Sequence, residues 1–118
     1  MKMKIQIQTS NVELTKALQA HVDLRMGFAL ARFGEQIGRV ILRFSDTNGH
    51  RGGMHKRCQI DVALRPRSVR VEHTDADVFV ALDCAAHRAS RSVARALERE
   101  REWGKSLPTQ RIAGRSKS

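Results

Sequence analysis

Residues 4–9 (KIQIQT) alternate polar and apolar with a period of two. Ile5 and Ile7 therefore share one face and Gln6 and Gln8 the other, which predicts a half-buried strand. Ser10 and Asn11 break it. From Thr15, whose hydroxyl suits a helix N-cap, the period becomes helical. Leu18, Val22, Met26, Ala29 and Phe33 fall on one stripe, so a helix is expected to about residue 33, with Gly34 as its stop. Gly27 lies off that stripe and weakens the helix by about 1 kcal/mol relative to alanine. Alternation returns over residues 39–46 (RVILRFSD), with Val40, Leu42 and Phe44 inward. A loop with three glycines follows at 48–53 (NGHRGG). Residues 56–65 (KRCQIDVALR) give the cleanest strand: Cys58, Ile60, Val62 and Leu64 point inward, and Pro66 ends it. Residues 68–74 (SVRVEHT) form a fourth strand, with Val69 and Val71 inward. Asp75 or Asp77 then caps a long helix to about Trp103, with Phe79, Leu82, Ala85, Ala86, Ala89, Val93 and Leu97 on its apolar stripe.

The order is β-α-β-β-β-α, an α+β class. Three consecutive strands with short links predict an antiparallel meander, to which the first strand joins through the first helix. Each strand has one apolar face, so both helices are expected on the same side of one four-stranded sheet, a two-layer sandwich. Residues 1–103 make up this domain. Residues 104–118 hold Lys105, Arg111, Arg115 and Lys117 and no acid, which predicts a flexible basic tail.

Charge narrows the function. The 118 residues carry 22 Lys and Arg against 12 Asp and Glu, a net charge of +10 and a pI near 11.0. In one small domain this is the footprint of a nucleic-acid binder, although anionic membranes also attract basic chains. No apolar run approaches the roughly 18 residues of a membrane span, and MKMKIQIQTSNVEL lacks the apolar stretch of a secretory signal. With Cys58 and Cys84 too few for a disulfide framework, a cytoplasmic location is expected. The sequence has no GxxxxGK[ST], HExxH or GxSxG motif, and its histidines are scattered at 21, 50, 55, 73 and 87. Cys58 with His50, His55 or His73 matches no zinc spacing. No catalytic residue, metal, cofactor or small-molecule substrate is expected.

The candidate chemistry is basic. At 100° per residue, Arg88, Arg91, Arg95 and Arg99 of the second helix fall within about 80° of one another, beside the apolar stripe. His21, Arg25 and Arg32 lie at the edge of the stripe on the first helix, so side-by-side helices would line one groove with both flanks. The planar guanidinium fork suits phosphate oxygens. Such arginines also describe a solvated face, with Glu98, Glu100 and Glu102 neutralising the last turns. In the glycine-rich loop, Arg51, with Lys56 and Arg57 beside it, is a further phosphate candidate. Lys4, Arg39, Arg43, Arg57, Arg65 and Arg70 alternate onto the outer sheet face among Asp61 and Glu72, where cross-strand ion pairs account for them simply. Of the aromatic residues, Phe33, Phe44 and Phe79 belong to the core and none lies exposed on the sheet, which favours recognition of folded RNA through backbone and shape over base stacking.

Residues 77–88 (DVFVALDCAAHR) resemble the D-[ML]-Y-x-A-[IL]-D-x-A-x-x-[KR] helix opening of the ribosome hibernation-promoting factors, also called ribosome-associated inhibitors or sigma-54 modulation proteins. Thr15-Lys16-Ala17-Leu18 followed by Arg25 resembles their T-E-A-L…K pattern, and the resemblance extends over residues 4 to about 102. It implies a translation inhibitor that occupies the mRNA and tRNA channel of the small ribosomal subunit. It also implies that Arg25, Arg88, Arg91 and Arg95 contact ribosomal RNA, and that the chain is of the short form, without a dimerisation domain and monomeric off the ribosome. The sequence departs from the pattern at Phe79, where the family has Tyr, and at Ala89 and Ser90, where it has Leu-Glu. A general double-stranded-RNA-binding module is the competing reading.

Overall fold

The alternating segments become strands and the helical stripes become helices, in the expected order. The computed structural model describes residues 4–46, 55–64 and 67–106, with side chains to residue 99. Strand β1 (Lys4–Ser10) leads into helix α1 (Lys16–Leu30) and a 3-10 segment (Ala31–Gln36). Strands β2 (Ile37–Asp46), β3 (Lys56–Leu64) and β4 (Val69–Asp75) precede helix α2 (Val78–Ser106). The sheet order is β1-β2-β3-β4. Strands β2, β3 and β4 form the antiparallel meander, while β1 pairs parallel to β2 because α1 carries the chain back across.

Register lines up the apolar positions in rows across the sheet. Ile5, Val40, Val62 and Val69 are successive cross-strand partners, as are Ile7, Leu42, Ile60 and Val71. Against these rows α1 buries Leu18, Val22, Met26 and Leu30, and α2 buries Leu82, Val93 and the alanines at 81, 85, 86 and 89. One core cluster joins both helices to the same face of the sheet. The alanine face lets α2 lie close to the strands, since side-chain size sets the separation between packed elements.

The helix starts follow from their caps. Thr15 is extended (φ −80°, ψ 165°) and its Oγ1 accepts the Leu18 N–H at 3.0 Å. Both candidate aspartates act at α2: Asp77 Oδ1 accepts the Phe79 N–H at 2.8 Å, and Asp75 Oδ1 accepts the Asp77 N–H at 3.1 Å.

Three boundaries differ from expectation by more than one residue. Helix α1 ends at Leu30, not Phe33, and tightens into the 3-10 segment, where Phe33 leaves helical geometry (φ −105°, ψ 15°). The buried row accordingly ends on Leu30, with Ala29 and Phe33 only partly buried. Strand β2 begins at Ile37, because a bulge between Ile37 and Arg39 inserts Gly38 and lets both Ile37 and Val40 face the core. Helix α2 continues through Ser106, past Trp103; the remainder of the expected tail, 107–118, lies outside the described residues, as does the loop 47–54 with Arg51.

Candidate nucleic-acid interface

Helix α2 packs over β3 and β4 with α1 alongside it, so each of its flanks meets a different neighbour. Its arginine flank faces β4. Arg88, Arg91, Arg95, His87 and Ser92 line a depression with Arg70, Val71 and Glu72 of β4. Its other flank faces α1. Asp83, Ala86, His87 and Ser90 line a cleft with Arg25, Phe28 and Ala29 of α1. The two basic flanks therefore do not share the single groove expected of them. The rotation of α2 on the sheet separates them, and only His87 lines both depressions.

The candidate cations differ in what holds them. Arg88, Arg91, Arg95 and Arg99 are exposed, and among the described residues no carboxylate comes within ion-pairing distance of any of them. Arg25 instead lies 2.9 Å through Nε from Asp83 Oδ1, the same oxygen that meets His21 Nε2 at 2.8 Å. His21 also rests edge-on against Phe79, with ring centroids 5.2 Å apart. Asp83 thus fastens α1 to α2 and offsets part of the Arg25 charge. Arg32 has left the α1 surface for the 3-10 segment, where its guanidinium carbon stands 4.6 Å over the Phe33 ring. Lys56 Nζ donates to Asp46 Oδ2 at 2.9 Å, at the foot of the loop.

Cross-strand pairs of the expected kind compensate Arg43, Arg57 and Arg70 of the outer sheet face, while Lys4 and Arg39 have no carboxylate within ion-pairing distance among the described residues and Arg65 lies outside them. Asp61 accepts from Arg43 Nη1 at 2.7 Å and from Arg70 Nε at 2.6 Å. Arg57 lies 3.9 Å from Glu72. The Asp61 hydrogen bond raises the Arg70 pKa further, so that charge is permanent. Cys58 is fully buried, and burial pushes its thiol up to about 12, so it is no thiolate at neutral pH. Cys84 is partly buried and also free. Among the described residues no three metal-ligating side chains cluster, and no helix is long and apolar enough to cross a membrane.

The family model for the sigma 54 modulation protein / S30EA ribosomal protein matches residues 5–101. The chain belongs to this family. The matched span runs from β1 into α2 and includes each candidate arginine of both helices. Among solved structures, a ribosomal subunit interface protein from Coxiella burnetii is similar at a TM-score of 0.70 and 15% identity, over 81% of this chain and 99% of that one. The N-terminal domain of Protein Y from Thermus thermophilus is similar at a TM-score of 0.67 and 27% identity, over 80% of this chain and 99% of that one. No curated protein sequence matches the chain. The ribosome hibernation family and its α+β fold thus agree with the order of elements read from the sequence.

Several members of this surface escape a reading of periodicity. The pairing of Arg25 and His21 with Asp83 depends on how two helices are rotated against each other, for which a helical wheel carries no signal. Arg70 enters the ridge depression through the register of β4 and the docking of α2 over it. Phe28 is not singled out either, although it is the phenylalanine left over once the core has claimed the others, and it stands 77% exposed.

Proposed function

We propose that the protein binds the small ribosomal subunit in the channel used by mRNA and tRNA and blocks translation while ribosomes are idle, acting as a hibernation factor in the cytoplasm. Arg88, Arg91 and Arg95 contact ribosomal RNA phosphates, with Arg99 extending the ridge and Arg25 adding a contact from α1. The observation that supports this reading is the uncompensated ridge itself. Guanidinium groups with no carboxylate in reach keep their full charge for phosphate oxygens. The relatives add their own names: one is a ribosomal subunit interface protein. Loop residue Arg51 and Lys56 belong to the proposal as secondary contacts, and Arg32 as a peripheral one. The protein works without cofactor or metal, as a monomer when off the ribosome.

Sucrose-gradient sedimentation of purified protein tests this. The protein is expected to co-sediment with small subunits and to slow translation in a reconstituted extract, with mRNA competing for its place. Equal affinity for an arbitrary RNA duplex of matched length would instead point to general double-stranded-RNA binding.

A further inference from the structure

We propose that the cleft between α1 and α2 is a nucleobase site, in which an unpaired RNA base stacks on the ring of Phe28. This rests on the RNA-binding reading above and extends it from phosphate contact to base contact. Phe28 is 77% exposed, on a helix whose inward residues Leu18, Val22, Met26 and Leu30 are at most 1% exposed. Leu24, one turn earlier, is 53% exposed and continues the apolar surface. An exposed aromatic on a soluble domain gains nothing from water, whereas an aromatic face offers any base a stacking surface.

The surroundings select the occupant. Ala29 and Ala86 are the small apolar residues of the cleft, leaving room beside the Phe28 ring for a flat group. His87 and Ser90 supply polar edges, and Arg25 is held at the rim by its pair with Asp83. His87 also lines the depression of Arg88, Arg91 and Arg95, so the cleft adjoins the phosphate ridge. From Arg88 to Arg95 the ridge spans about 10 Å of helix axis. On this proposal a strand whose phosphates track that ridge turns an unpaired base past His87 into the cleft. A second copy of this chain is a poor occupant, because each copy brings a net charge of +10 and Arg25 stands at the rim of the cleft.

The chain has a single tryptophan, so Phe28→Trp in a Trp103→Phe background places the lone indole at the site. Single-stranded oligonucleotides are expected to quench its emission, while an RNA duplex of equal length leaves it unchanged. Phe28→Ala should weaken binding to small subunits on the order of ten-fold with the salt slope unaltered, and Phe28→Tyr should retain wild-type affinity. Circular dichroism confirms that each variant is folded, which the exposure of position 28 favours. Small subunits that bind with unchanged indole emission would overturn the base site and leave the ribosome reading standing. Quenching by single strands without small-subunit binding would do the reverse. Concentration-dependent self-association of the wild type that Phe28→Ala abolishes would assign the surface to a second copy and overturn the proposal.

Discussion

Arg88, Arg91 and Arg95 differ from the paired cations of the chain in one respect: among the described residues no carboxylate comes within ion-pairing distance of them. Arg43 and Arg70 share Asp61, Arg57 lies near Glu72, Lys56 holds Asp46, and Arg25 is tied to Asp83. Exposed pairs of this kind contribute only about 0–1 kcal/mol to stability, but each removes charge from what a phosphate would meet. Burial decides the chemistry of the two thiols in the same way. Cys58 is fully buried and titrates near 12, against an ordinary value of 9.0, because burial disfavours its thiolate. Folding therefore favours the protonated form, and this stabilisation is complete below pH about 9 and declines as pH rises toward 12. Labelling with iodoacetamide at pH 8 should modify Cys84 and spare Cys58 until denaturant is added. Modification of both at equal rates in the folded protein would contradict the burial of Cys58. Gly27 offers a residue-level gain, since nothing lies within 4 Å of a Cβ placed there. Gly27→Ala should raise thermal stability by about 0.5–1 kcal/mol, measured by denaturant unfolding.

Capping decides where the elements start, and packing decides where they end. The Thr15 hydroxyl satisfies the Leu18 N–H at 3.0 Å, so Thr15→Ala should cost about 1 kcal/mol of unfolding free energy, while Thr15→Ser should cost much less. Asn11 adopts a left-handed backbone (φ 61°) between β1 and α1, a conformation asparagine tolerates and β-branched residues resist. Both features lie in local chemistry, and local chemistry is what the sequence displays. The alternation of β1, β3 and β4 was legible for the same reason, as were both helix starts and the arginine ridge. The misses have a common cause in tertiary structure. The row Leu18, Val22, Met26 and Leu30 steps by four, and only packing on the sheet shows that it ends there while Phe33 turns off into the 3-10 segment. The bulge at Gly38 breaks the period of two, which concealed Ile37 as the start of β2. A wheel places Arg88 and Arg95 on a flank of α2 but does not say that β4, and not α1, lies beside that flank.

At the scale of the whole molecule, the sheet separates two basic surfaces of different character. The outer face carries many cations, but Asp61 and Glu72 are interleaved among them by register. The helix face carries the ridge with Glu72 beside it, but among the described residues no carboxylate comes within ion-pairing distance of a ridge arginine, so the field of the +10 chain is little screened there. Binding should therefore depend on where charge is removed as well as on how much. Arg91→Glu with Arg95→Glu alters the ridge by the same charge as Lys4→Glu with Arg39→Glu alters the exposed end of the outer face. All four positions are exposed, so both double variants should fold, with wild-type circular dichroism. The most direct test is to titrate each against small ribosomal subunits over a series of salt concentrations. The account predicts that the ridge variant binds far more weakly, with the log–log salt slope reduced in magnitude by roughly 0.7–0.9 for each lost phosphate contact, while the outer-face variant keeps most of the affinity and slope. Wild-type affinity and salt slope in the folded ridge variant would contradict it.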